Sequence, residues 1–193
     1  MVAAAILICT LALTSEPESS APSKRDPIAY HVRAVNPHAQ EWIRVGTSES
    51  KTFRTLLARL GASDLIVYIE IVNRIIGGAA GHLYFVTATA DVRYVRIEVV
   101  ADRSAREMVA LLGHELQHAV EIADARHVRD SRAMALLYLG MTENLPGTRY
   151  DSVEARLTEE RVRRELSSYR AGPPADSEAQ TLTQSFHPFV AGR

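Results

Sequence analysis

Apolar positions along the chain change their period twice, and the changes divide it into elements. Between Thr47 and Leu60 the residues Phe53, Leu56, Leu57 and Leu60 recur at helical spacing, and Gly61 is a natural stop just beyond them. From Asp64 to Val72 that period gives way to a run rich in β-branched residues, which reads as a strand. A glycine-rich connection follows at residues 77–81. Two further segments of strand composition, His82–Thr89 and Val92–Val100, are separated by the turn signal Ala90-Asp91. The short links between the three strands predict an antiparallel sheet. After Ser104 helical spacing returns, with Met108, Leu111, Leu112, Leu116, Ala119, Val120 and Ala123 on one face, and Ser104 with Glu107 forming a capping box at its start. Helical stretches also run over Ser131–Leu139, ending at Gly140, and from about Asp151 to Tyr169. The expected fold class is α+β: a small antiparallel sheet packed on one long helix, with further C-terminal helices.

Composition refines the two ends. Residues 1–14 form an uncharged apolar run, and residues 15–27 are rich in Ser, Pro and Glu, the order of a secretory signal followed by a spacer. The run is shorter than the ~20 apolar residues of a spanning helix. The expectation is a signal peptide over 1–15, a disordered linker over 16–27, one domain over 28–171 and a flexible tail over 172–193. Such a chain would be exported, periplasmic or secreted, with no stable membrane span after signal removal. With 47% hydrophobic residues in 193, the chain can bury a real core.

Charge and cysteine usage narrow the chemistry. The 22 basic and 23 acidic side chains nearly cancel and form no long block of one sign, so no nucleic-acid partner is expected. Oligomeric state is left open. The single cysteine, Cys9, lies in the apolar leader, so any metal site in the mature chain must use His and carboxylate. The glycine-rich connection lacks the Lys-Ser/Thr of a phosphate-binding loop and leads into a strand, so it reads as a flexible turn.

The sharpest chemical signal is the run His-Glu-Leu-Gln-His at residues 114–118. On a helix, His114 and His118 lie four residues apart on one face and can present two imidazoles to one ion. Glu115 stands beside them, within reach of a metal-activated water without being a ligand. Two neutral imidazoles and an oxygen ligand suit Zn2+, and a catalytic zinc site keeps its fourth position for water. That water, acidified to a pKa of about 7, can be deprotonated by Glu115 for attack on an amide carbonyl.

This run, on a helix that follows a sheet, resembles the zincin metallopeptidases and, more narrowly, the gluzincins. The resemblance covers roughly residues 60–170, and the pentapeptide is its specific part. It implies a zincin-like fold and a zinc metallopeptidase acting on a peptide or protein substrate. It also implies His114 and His118 as metal ligands, Glu115 as general base, a third acidic ligand on a later helix, and substrate backbone held along an edge strand, here His82–Thr89. A non-catalytic zincin-like metal-binding module is the alternative.

Two residues compete for the third position. Asp151 shares a helix face with Ala155, Val162, Leu166 and Tyr169, whereas Glu154 sits on the flank of that stripe. Against Asp151, the gluzincin ligand is normally Glu, and Asp151 with Glu154 also reads as a capping box. Asp124 has the spacing of a metzincin ligand, but that branch needs a glycine at the position of Glu121. Glu121 instead lies on the histidine face, where it can accept a hydrogen bond from the non-ligating nitrogen of a ligand histidine. His127, Tyr138 and Tyr150 are candidate oxyanion donors. His31, His38 and His187 belong to no pattern and are expected at the surface.

Overall fold

Five helices and a four-stranded sheet make up residues 30–142 and 151–171, the part of the chain described by a computed structural model. The expected signal, linker and tail, together with Tyr150 and His187, lie outside the described residues. In chain order the elements are β1 (Val32–Ala34), α1 (Pro37–Glu49), α2 (Lys51–Gly61), β2 (Leu65–Val72), β3 (Gly81–Ala88), β4 (Arg93–Val100), α3 (Ala105–Asp124), α4 (Ser131–Thr142) and α5 (Val153–Ala171). The class is α+β. Among the described residues no helix is long and apolar enough to cross a membrane.

The sheet is mixed, not antiparallel as its short links predict. Its strand order is β1-β2-β4-β3: β1 and β4 both run parallel to β2, and only the β3–β4 pair is antiparallel. The link over residues 73–80 carries the chain past one strand position, so β3 starts the outer edge and β4 returns into the slot between β3 and β2. β2 lies inside the sheet with its odd-numbered residues buried, whereas Tyr68, Glu70 and Val72 on the opposite face are half-buried. Among the described strands β3 lies at the edge of the sheet, as expected of the His82–Thr89 segment.

The single helix read from Thr47 to Leu60 is two helices with a break at Ser50. The extended backbone of Ser50 (φ −127°, ψ 123°) ends α1, and its hydroxyl accepts from Phe53 N–H to cap α2. Ser50 is fully buried and donates to Glu165 Oε2 of α5 at 2.5 Å. Glu165 also accepts from the backbone N–H and the hydroxyl of Thr52, tying the start of α2 to α5. The first helix escapes a periodicity reading because it buries only Ala39 and Gly46 outright.

The odd-numbered residues of β2 and β4, together with Leu83 and Phe85 of β3, are buried against the helices. Helix α3 crosses that face and is itself covered by α5, so its buried residues circle much of its axis, from Met108 and Val109 to Leu116, Ala119 and Ile122. Each fully buried Leu or Ile contributes roughly 1.5–3 kcal/mol of transfer free energy. Gly113 permits the close approach of α5: a Cβ there would meet Val162 Cγ2 at 3.0 Å.

Both ends of α3 are fixed. At its N-terminus the expected capping box is complete, with Glu107 N–H donating to Ser104 Oγ and Ser104 N–H donating to Glu107 Oε2. At the other end lies Arg93, a fully buried guanidinium on the first residue of β4. It donates to both oxygens of Asp64 (2.9 and 2.6 Å) and to the carbonyls of Ile122, Ala123, Ala125 and Val128 (2.7–3.1 Å). A cation at a helix C-terminus that satisfies the unpaired last carbonyls is favourable in both charge and hydrogen bonding. The result is a helix whose position along its axis is set by the sheet.

Candidate metal centre

One helical turn on α3 separates His114 and His118, whose rings meet edge to face with centroids 4.9 Å apart. Their Nε2 atoms are 3.2 Å apart. The third corner is Asp151, just before α5: its Oδ1 lies 3.5 Å from His114 Nε2 and 3.8 Å from His118 Nε2. A point equidistant from these three atoms lies about 2.0 Å from each, which is the length of a zinc bond to imidazole or carboxylate.

Asp151 reaches this position because it is not the helix cap. The capping box read from Asp151 and Glu154 is replaced by Ser152, whose hydroxyl accepts from Ala155 N–H at 3.0 Å. Glu154, the alternate third ligand, faces solvent and pairs with Arg161 at 2.8 Å. Asp124 pairs with Arg59 at 2.7 Å at the exposed end of α3. Neither carboxylate approaches the histidines.

Both imidazoles are held from behind. Glu121 Oε2 lies 2.9 Å from His118 Nδ1, the contact expected of that residue. Its other oxygen accepts from Ser152 Oγ at 2.5 Å. Burial works to raise the Glu121 carboxyl, but the hydrogen bonds from His118 and Ser152 outweigh it and hold the group below the usual range. Behind His114, Glu159 Oε2 is 3.2 Å from Nδ1, within ion-pair reach but poorly aligned for a hydrogen bond, while its other oxygen pairs with Arg163. A carboxylate at each Nδ1 favours the proton there and turns both Nε2 lone pairs toward the common point.

The donor set fits a cation. Arg156 Nε lies 3.4 Å from Asp151 Oδ2, but among the described residues the buried Oδ1 has no hydrogen-bond donor, and it shares its surroundings with two imidazole lone pairs. An uncompensated buried carboxylate oxygen is unfavourable, and a divalent metal satisfies all three groups at once. Two imidazole nitrogens and one carboxylate oxygen, with no cysteine in the cluster, suit a divalent transition-metal ion.

Glu115 stands beside the triad, 5% exposed. Burial pushes its carboxyl above the ordinary range; the two histidines pull the other way, and the carboxylates of Asp151 and Glu159 add to the rise. All four side chains open onto a cavity of about 490 Å³. Gly81 to Leu83 of the β3 edge form its second wall, and Met134, Ala135 and Tyr138 of α4 form its third. A larger cavity of about 950 Å³ runs beside β1, α1 and α2, but among the described residues no cluster of metal-ligating side chains lines it.

The oxyanion candidates separate. Tyr138 lines the cavity, packs edge-on against the His118 ring and donates its hydroxyl to the His118 carbonyl at 3.2 Å. His127 is exposed and away from the cavity. Of the patternless histidines, His38 is exposed as expected, while His31 is half-buried and its Nδ1 lies 2.9 Å from the Leu65 carbonyl.

Three residues at the site were not singled out in the sequence: Ser152, Glu159 and Gly81. Glu159 left a visible trace, because it interrupts the apolar stripe Ala155, Val162 and Leu166 on the buried face of α5. Compared with known proteins, the chain matches no protein-family model, no curated protein and no solved structure.

Proposed function

We propose that the protein is a zinc-dependent metallopeptidase of the gluzincin-like kind, with His114, His118 and Asp151 as ligands and Glu115 as general base. The observation that carries this reading is the convergence of two Nε2 atoms and one carboxylate oxygen on a single point, with a buried glutamate beside it. Zinc in such a triad supplies Lewis acidity, polarising the scissile carbonyl and acidifying water. The chain does the rest.

Glu115 takes a proton from the attacking water as the new C–O bond forms. It then returns that proton to the amine nitrogen as the C–N bond breaks, leaving one carboxylate and one amine product. Glu121 and Glu159 keep the imidazoles in the ligating tautomer. The outer side of β3, an edge strand among the described residues, is where an extended peptide can lie beside the triad. The composition of residues 1–14 supports export of this activity.

The test pairs metal content with turnover. The purified protein should contain one zinc per chain, and Glu115→Gln should keep that zinc while cutting peptide hydrolysis by about 10²–10⁴-fold. A protein that holds zinc but treats a broad peptide library identically with and without Glu115 would be a non-catalytic module.

A further inference from the structure

The glycine-rich connection contains glycines of two kinds. Gly77 and Gly78 take positive φ (94° and 78°) and turn the chain, and a Cβ on either would meet nothing. Gly81 is different. It is the first residue of β3, paired with Val99 of β4, and its φ lies outside the left-handed region, so its backbone would accept any residue. What it lacks is space. A Cβ on Gly81 would lie 2.3 Å from Glu115 Oε1, 2.9 Å from Cδ and 3.1 Å from Cγ. The carboxylate lies against the bare Cα of the edge strand.

We infer that Gly81 is a positioning residue for Glu115: its missing side chain creates the slot between α3 and the edge strand in which that carboxylate is held beside the His114, His118 and Asp151 triad. Neither backbone is free to recoil. Helix α3 is fixed by its capping box and by Arg93 under its last carbonyls, and β3 is held in its ladder with β4. The part that gives way to an added methyl is the far end of the Glu115 side chain. An alanine should therefore leave the fold intact, since Ala is less costly than Gly within a strand, and still move the carboxylate. Displacements of about 1 Å at a reacting group cost about 10²-fold in rate. The kinetic consequence rests on the metallopeptidase reading; the displacement of Glu115 does not.

The experiment compares the full chain with Gly81→Ala, Glu115→Gln and the double variant, each loaded with zinc. Gly81→Ala should keep zinc affinity within about twofold and its melting temperature, while kcat falls about 100-fold with KM little changed. The double variant should be no slower than Glu115→Gln alone, because Gly81 acts through that carboxylate. Gly140→Ala, where a Cβ meets nothing, is the control and should match the wild type. A crystal structure of Gly81→Ala should show the Glu115 carboxylate moved out of the slot. Unchanged turnover with Glu115 in place, or additive losses in the double variant, would overturn the inference. If the wild-type protein hydrolyses no peptide, the metallopeptidase reading fails, and the position of Glu115 in the Gly81→Ala crystal still decides this one.

Discussion

Ser152 Oγ donates to Glu121 Oε1 at 2.5 Å, so the residue that caps α5 also holds the carboxylate behind His118. One hydroxyl therefore links the helix that delivers Asp151 to the helix that delivers both histidines. Ser152→Ala should cost about 1 kcal/mol for the lost cap and lower the melting temperature by a few degrees. It should also weaken zinc binding about tenfold, because Glu121 loses the donor that orients it. Thermal unfolding and chelator competition read the two effects separately, and Ser152→Thr should recover most of both.

Asp151 and Glu154 differ by three positions and face opposite ways. Asp151→Ala removes the buried oxygen that completes the triad and should weaken zinc binding by at least about 100-fold. Glu154→Ala breaks only an exposed pair with Arg161, a contact worth roughly 0–1 kcal/mol, and should leave metal affinity unchanged. Isothermal titration with zinc distinguishes them. Equal losses in the two variants would contradict the assignment.

Glu159→Gln tests the carboxylate behind His114. An amide can donate as well as accept, so it no longer favours the Nδ1–H tautomer. Zinc affinity should fall about 10–100-fold, with little change in the denaturant midpoint. The wild-type value in both measurements would remove Glu159 from the site.

The Arg93–Asp64 pair makes a prediction about pH. The hydrogen bonds from Arg93 hold the Asp64 carboxyl below its ordinary range, against the effect of burial. A depressed carboxyl contributes stability that is present above its unfolded pKa of about 3.9 and is lost as pH falls through the lower folded value. Wild-type stability should therefore decline below about pH 4, and Asp64→Asn should show a shallower decline from a lower plateau. At neutral pH the variant should lose about 3 kcal/mol, the low end for breaking such a pair, because Asp64 is partly exposed. Urea unfolding across the acid range measures both.

Much of the site was legible because its parts follow local rules. His114, Glu115 and His118 are placed by helical period alone, and Glu121 falls on their face by the same arithmetic. The boundaries of β2, β3, β4 and α3 followed from β-branched density, the Ala90-Asp91 turn and the Ser104–Glu107 box. The sheet's topology was not legible: the link over residues 73–80 fits an adjacent hairpin as well as a strand skipped, and the choice rests on the pairing of β4 with both β2 and β3. The third corner stayed open because Asp151 and Ser152 are both good N-cap residues, and the choice between them rests on a contact with Glu121 thirty-one positions away in sequence. Gly81 hid for a similar reason, since the clash that explains it involves a side chain on another element.

The central claim is that His114, His118 and Asp151 hold one zinc ion beside Glu115. Anomalous diffraction at the zinc edge, from crystals of protein purified without chelator, tests it most directly. The predicted result is one strong peak per chain, about 2 Å from His114 Nε2, His118 Nε2 and an oxygen of Asp151. A peak held by other residues, or none from a zinc-supplemented crystal, would contradict it.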